Sequence, residues 1–146
     1  MPYKTKILYI RQSTIPGAGK GLFTREKIRK GERIVEYKGR VRTWKEVEDA
    51  GVFNAYVFYI EKDYVIDAKS YNRSLARYAN DAQGLNRVKG ITNNAEYQED
   101  DKKVFIHALR NIPAGAEICV GYGKDYWKVV RENMKLEAAD NQPREG

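Results

Sequence analysis

Short runs of apolar and aromatic residues alternate with turn signals along most of the chain. KILYI, around Ile7 to Ile10, is the first run, and GLF follows a glycine-rich turn. RIVEY covers Arg33 to Tyr37. AYVFYI, Ala55 to Ile60, and YVIDA, Tyr64 to Ala68, flank the charged turn Glu61-Lys62-Asp63 and predict a hairpin. NAEY, VFIHAL and EICVGY supply three more strands. Short runs of this kind, separated by turn signals, predict a β-rich fold with few short helices.

Helix signals are sparse. Thr43 with Glu46 has the spacing of a capping box at the start of TWKEVEDA, and Gly51 is placed to end that helix. Ser74 to Tyr78 predicts a single helical turn. From Asp125 to about Ala139, Trp127, Val130, Met134 and Ala138 recur at helical spacing, so a terminal helix is expected there. The polar end DNQPREG is expected to fray.

Composition narrows the picture. A chain of 146 residues with 42% apolar content fits one domain with a modest core. We place the domain over residues 1–127, with a helix and frayed tail over 128–146. Eleven tyrosines against four phenylalanines suit half-buried surfaces, where the ring packs and the hydroxyl finds a partner. The net charge of +7 points towards an acidic partner, but the cations are scattered and form no long run, so nucleic-acid binding is not expected to be central. Cys119 and His107 are the only residues of their types, which excludes an internal disulfide framework and any ordinary zinc site. No signal peptide and no apolar run of membrane-spanning length is legible, so a soluble, intracellular protein is expected.

Three stretches carry candidate chemistry. IPGAGKGLF, Ile15 to Phe23, has glycines at 17, 19 and 21, but its spacing fits neither a P-loop nor a dinucleotide fingerprint. SLARYANDAQG brings Arg77, Asn80 and Asp81 close together. IPAGAEICVGYGKDYW sets Tyr122 between Gly121 and Gly123, poorly shielded by its neighbours and able to face a cavity.

Taken in order with a fourth, VEYKG at Val35 to Gly39, these stretches resemble the SET domain of protein lysine methyltransferases. The resemblance rests on Gly19-Lys20-Gly21-Leu22-Phe23, on Glu36-Tyr37-Lys38-Gly39, on Arg77-Tyr78-Ala79-Asn80-Asp81-Ala82, and on the closing segment Ala108 to Gly123. It covers about Ile7 to Trp127. Asp81 replaces the family's histidine, and Ala116 replaces a glutamate while Glu117 is kept. The stretch QGLNRVKGIT intervenes before Asn93-Asn94, with Asn94 at the position of the family's Pro-Asn asparagine. Cysteine-rich flanking segments are missing.

The resemblance implies a fold of small sheets with a pseudoknot and a C-terminal helix. It implies methyl transfer from S-adenosylmethionine to a lysine of a protein, such as a histone tail or a non-histone protein, with a nuclear location if the host is eukaryotic. Asn80, Arg77 and Asp81, the backbone of Ala18, Gly19, Lys20 and Gly21, and Trp127 would hold the cofactor. Tyr122 would be catalytic, with Tyr37 in the same site. Tyr56, Phe58 and Tyr71 would wall the lysine channel, and the small Val120 would leave room for more than one methyl group. The alternatives are a SET-like recognition module without catalysis and a small basic nucleic-acid-binding domain.

Overall fold

The structure, a computed structural model, describes residues 4–50, 56–71, 74–84 and 87–122. The expected terminal helix, Trp127, Gly51, Ala55 and the tail therefore lie outside the described residues. Among the described residues nine short strands form three small antiparallel sheets, so the β-rich character that the runs predict is present.

In the first sheet β2 (Lys20–Thr24) lies between β1 (Leu8–Gln12) and β9 (Glu117–Ile118). In the second, β8 (Lys103–Ala108) lies between β3 (Arg33–Glu36) and β7 (Ala95–Asp100). In the third, β6 (Tyr64–Asp67) lies between β4 (Arg40–Arg42) and β5 (Val57–Glu61). The hairpin expected between Ala55 and Ala68 is β5–β6, with Glu61 drawn into the strand and paired with Tyr64. The β7–β8 turn holds Asp101 and Lys102 at φ +49° and +61°. Positive φ at both central residues matches the strand twist, and Asp tolerates this region better than most residues. The three-residue strand β4 carries no sequence signal, since Arg40 and Val41 are exposed and only pairing with β6 defines it.

The capping box is present: the Thr43 hydroxyl accepts the Glu46 N–H at 3.2 Å, and Glu46 reaches back to the Thr43 N–H at 3.3 Å. It opens the helix α1 (Trp44–Asp49). The expected helical turn is a 3₁₀ turn over Leu75–Tyr78. Among the described residues no helix is long and apolar enough to cross a membrane.

Leu22, Ile28, Ile34, Ile106, Ile112, Ile118, Val104 and Val120 fill the core, each at 0% exposure. Gly39, the glycine of the Glu-Tyr-x-Gly step, lies against β6. A Cβ there would stand 2.6 Å from the Asp67 carbonyl carbon and oxygen. Backbone cannot move aside as a flexible side chain would, so Gly39→Ala is expected to lower unfolding stability by about 3 kcal/mol or more, read by denaturant titration. A cost under about 1 kcal/mol would show that the two strands are loosely joined.

Cys119 is 1% exposed. Burial first, and then the negative charges of Glu117 and Asp81, push its thiol up to about 12. The native thiol is expected to resist alkylation at pH 8 and to react once the chain unfolds. Between pH 9 and 12 the folded state keeps a proton that the unfolded chain has lost, so this group's contribution to stability falls as pH rises. Alkylation as fast as that of a free thiol would contradict the burial.

Candidate active site

The segment after β9 lies between two earlier parts of the chain. On one side the Val120 N–H donates to the Asn80 carbonyl at 2.8 Å, with a parallel bridge between Asn80 and Cys119. On the other, the N–H groups of Asn94 and Ala95 both reach the Cys119 carbonyl at 3.0 Å. The Asn94 side chain acts like another piece of strand backbone. Its Nδ2 donates to the Glu117 carbonyl and its Oδ1 accepts the Cys119 N–H, each at 2.9 Å. This crossing sets Asn80, Asp81 and Tyr122 side by side, although about forty residues separate them in sequence.

Glu117 anchors the neighbouring loop. Its carboxylate, on a residue at 8% exposure, accepts the Ser13 hydroxyl at 2.7 Å, the Thr14 N–H at 2.9 Å and the Thr14 hydroxyl at 2.6 Å. It also accepts Asn80 Nδ2 at 3.2 Å, and the same amide nitrogen donates to the Lys20 carbonyl at 3.0 Å. The glycine-rich loop is thereby tied to the Asn80 segment. Gly19, at φ +73°, takes a left-handed turn that other residues rarely adopt. Gly21 has a different reason: a Cβ there would stand 2.4 Å from Glu117 Oε2.

A cavity of about 510 Å³ opens between this loop and an aromatic wall. Ile15 to Lys20, Arg77, Asn80 and Asp81 line it with Tyr37, Tyr56, Phe58, Tyr78, Tyr97 and Tyr122. The Tyr37 hydroxyl donates to the Tyr56 carbonyl at 2.8 Å, and the Tyr122 hydroxyl makes a short hydrogen bond to the Ala79 carbonyl. Tyr97 joins the wall: its ring centroid lies 5.3 Å from Phe58, 6.0 Å from Tyr37 and 6.5 Å from Tyr122. Arg77 stacks on Tyr56 and Tyr78 while one terminal nitrogen donates to the carbonyls of Ala68 and Lys69. Its Nε is buried with no hydrogen-bond partner.

Most residues expected in the site therefore meet around one cavity: Ala18, Gly19, Lys20, Tyr37, Tyr56, Phe58, Arg77, Asn80, Asp81 and Tyr122. Three do not line it. Gly21 is buried beneath Glu117, Tyr71 is 43% exposed, and Val120 is packed in the core. Trp127 lies outside the described residues.

Sequence reasoning missed Tyr97, Tyr78, Asn93 and the anchoring role of Glu117. Tyr97 had a signal, since it stands two residues after the buried Ala95 and so on the same face of β7. Glu117 had one too, as a charge at an inward position of an apolar strand.

The family model for the SET domain matches residues 19–123. The chain is 29% identical over 134 residues to "Histone-lysine N-methyltransferase set1" of Dictyostelium discoideum, covering 85% of this chain and 8% of that protein. It is 32% identical over 110 residues to human "Histone-lysine N-methyltransferase SETD1B", covering 70% of this chain and 5% of that one. The chain thus spans less than a tenth of the length of these two relatives. The "Methyltransferase domain of human PR domain-containing protein 2" has the same fold, with a TM-score of 0.61, 22% identity, and coverage of 84% of this chain and 79% of that one. The matched span, the strand-rich fold and the crossing at Asn80 agree: this chain belongs to the SET domain family.

Proposed function

We propose that this chain is a protein-lysine methyltransferase that uses S-adenosylmethionine. One observation carries the reading. Two tyrosine hydroxyls, each with its proton committed to a backbone carbonyl, belong to an aromatic-walled cavity that also holds Arg77 and Asn80.

The residues present fit this cofactor. A cavity of about 510 Å³ is within the size range of small-molecule sites. The cofactor's amino-acid end carries an ammonium and a carboxylate. Arg77 Nε, buried and unpartnered, suits the carboxylate. Asn80 donates both amide hydrogens to the chain, which leaves its Oδ1 as an acceptor for the ammonium. The backbone of Ala18 to Lys20 completes that side. When bound, the cofactor supplies an electrophilic methyl group on a sulfonium.

The chain's own part is to orient the acceptor and to favour its neutral form. Tyr122 and Tyr37 have donated their protons, so they offer only lone pairs to an incoming amine. An amine whose N–H groups point at fixed acceptors has its own lone pair directed away from them, and such alignment carries much of the rate of a direct displacement. A free lysine is mostly protonated at neutral pH, with a pKa of about 10.4. Apolar walls disfavour the charged form. Asp81, the carboxylate among the described lining residues, accepts hydrogen bonds from Gln83, Asn93 and Tyr122, so we route the proton to water. The rings of Tyr37, Phe58, Tyr97 and Tyr122, with their π faces, suit a methylated ammonium and set the room available for it.

The histone-lysine methyltransferases among the relatives support a histone lysine as substrate and chromatin as the place of action. The test is incubation with S-adenosylmethionine labelled in its methyl group, against separate panels of core histones and lysate proteins. Label on a protein lysine, abolished by Tyr122→Phe, supports the reading and identifies the substrate class. No transfer to any panel together with no calorimetric binding of the cofactor would overturn it.

A further inference from the structure

Asp81 stands where the family pattern has histidine, and Asn93 follows the intervening stretch directly, one position before Asn94, where the family's Pro-Asn step has its proline. The two departures meet. Asp81 Oδ1 accepts Asn93 Nδ2 at 2.9 Å and the Gln83 N–H at 2.8 Å, and Asp81 Oδ2 accepts the Tyr122 N–H at 2.9 Å. Asn93 Oδ1 in turn accepts the Ala82 N–H at 2.8 Å. We propose that Asp81 and Asn93 form a clamp that positions Tyr122, with Asp81 a positioning residue through its bond to the Tyr122 backbone. The inference rests on the methyltransferase reading of the cavity.

The chemistry of the pair requires a carboxylate. Three N–H groups converge on the Asp81 side chain, and an ionised carboxylate is an acceptor on both oxygens. A neutral imidazole has a single acceptor and could not serve all three. Asn93 supplies a donor and an acceptor at once, closing a ring with the Asp81–Ala82 backbone. The replacements at positions 81 and 93 therefore form one device.

The device acts where Tyr122 needs support. Tyr122 lies beyond β9, after Gly121, whose backbone is free of the usual Cβ restriction. A Cβ at Gly121 would meet Asn93 Nδ2 at 3.6 Å, so the clamp also lies against this pivot. The segment 79–81 holds Tyr122 at two points: Ala79 takes the hydroxyl and Asp81 takes the backbone N–H. Losing the second point leaves the ring attached at its tip while its base turns about Gly121. A displacement of about 1 Å in an alignment-dependent transfer costs on the order of 100-fold in rate.

The test uses the full chain and three variants: Asp81→Asn, Asn93→Ala, and Asp81→Asn combined with Asn93→Asp. The amide introduced at position 81 must turn a donor towards the Tyr122 N–H or towards Asn93 and Gln83. The expected result is a kcat about 10-fold or more lower, with cofactor affinity by calorimetry within about twofold of the parent. Asn93→Ala is expected to lower kcat in the same direction by less. The double exchange restores an amide–carboxylate pair of opposite sense, and kcat should recover at least part of the loss. An unchanged kcat with weakened cofactor affinity would overturn the clamp and make Asp81 a direct cofactor ligand. A double exchange no better than Asp81→Asn would also overturn it.

A second readout stands apart from activity. The Tyr122 amide resonance in ¹H–¹⁵N spectra without cofactor should move in Asp81→Asn and return towards its parent position in the double exchange. If the parent chain neither transfers a methyl group nor binds the cofactor, the methyltransferase reading fails and this resonance alone decides whether the clamp exists. If the parent is active and the resonance stays in place, the clamp fails and the methyltransferase reading stands.

Discussion

Tyr122→Phe is expected to lower kcat for methyl transfer by two orders of magnitude or more, with the fold and cofactor binding retained. The substitution removes one oxygen and keeps the ring, which lies near Tyr97 in the aromatic wall with a centroid separation of 6.5 Å. The lost hydrogen bond to the Ala79 carbonyl costs about 1 kcal/mol of stability, or about 4 °C in Tm for a domain of this size. The kinetic loss is larger because the hydroxyl oxygen is one of two fixed acceptors that orient the amine. A preorganised polar group that meets the reacting centre is worth on the order of 100-fold to 1,000-fold in kcat when removed. Steady-state kinetics with a circular-dichroism melt would decide it. A fall of less than about 10-fold at unchanged Tm would move the catalytic role to Tyr37, whose hydroxyl bonds to the Tyr56 carbonyl in the same cavity.

The largest expected loss of stability at the site comes from Glu117→Ala. Ser13 Oγ, Thr14 N, Thr14 Oγ1 and Asn80 Nδ2 all donate to this carboxylate, and each bond is partly buried. Removing the acceptor strands these donors. Hydrogen bonds to a charged group contribute about 1.5–3 kcal/mol each at most, and water reaches some of the freed groups, so a net loss of about 3 kcal/mol is expected. The glycine-rich loop would then lose its tie to Asn80, and cofactor affinity should fall about 10-fold or more in calorimetry.

Gly21 supplies the internal control. Its missing Cβ is the space that Glu117 Oε2 occupies at 2.4 Å, and a carboxylate held by four donors cannot swing aside. Gly21→Ala alone should therefore destabilise the fold markedly, yet add little in the Glu117→Ala background. Residues in direct contact depart from additivity in this way. Simple addition of the two losses would mean that Gly21 is required for another reason.

Local chemistry explains which parts of the fold were legible. The capping box at Thr43 and Glu46 works within four residues, so the sequence contains all of it. The hairpin at Val57–Glu61 and Tyr64–Asp67 likewise needs only two adjacent runs and a turn. Strand β4 was illegible because its three residues carry no apolar alternation, and only β6 beside it makes it a strand. EICVGY reads as one strand, but pairing ends after Ile118, and the next residues bond to Asn80 and Asn94 instead.

The candidate site divides along the same line. Tyr122, Tyr37, Asn80 and Arg77 were legible because a family order of motifs marks them, each motif short and self-contained. Glu117 and Asn93 were not, because their partners lie in other parts of the chain: Glu117 reaches Ser13 and Thr14 across more than one hundred positions, and Asn93 reaches Asp81 across the intervening stretch. Val120 and Tyr71 show the converse, where nearness in sequence to the site did not bring the side chain to the cavity.

By itself the sequence determined the β-rich character, the order of the short elements, the helix cap and the family motifs, since backbone preferences and residue spacing act over a few positions. Only the tertiary structure decided which side chains share the cavity, why Gly21 and Gly39 have no room for a Cβ, and how Asp81 and Asn93 meet at Tyr122. Those outcomes depend on register and on the crossing of the segment after β9 between Asn80 and Asn94, where backbone hydrogen bonds on both sides fix positions that no local propensity encodes.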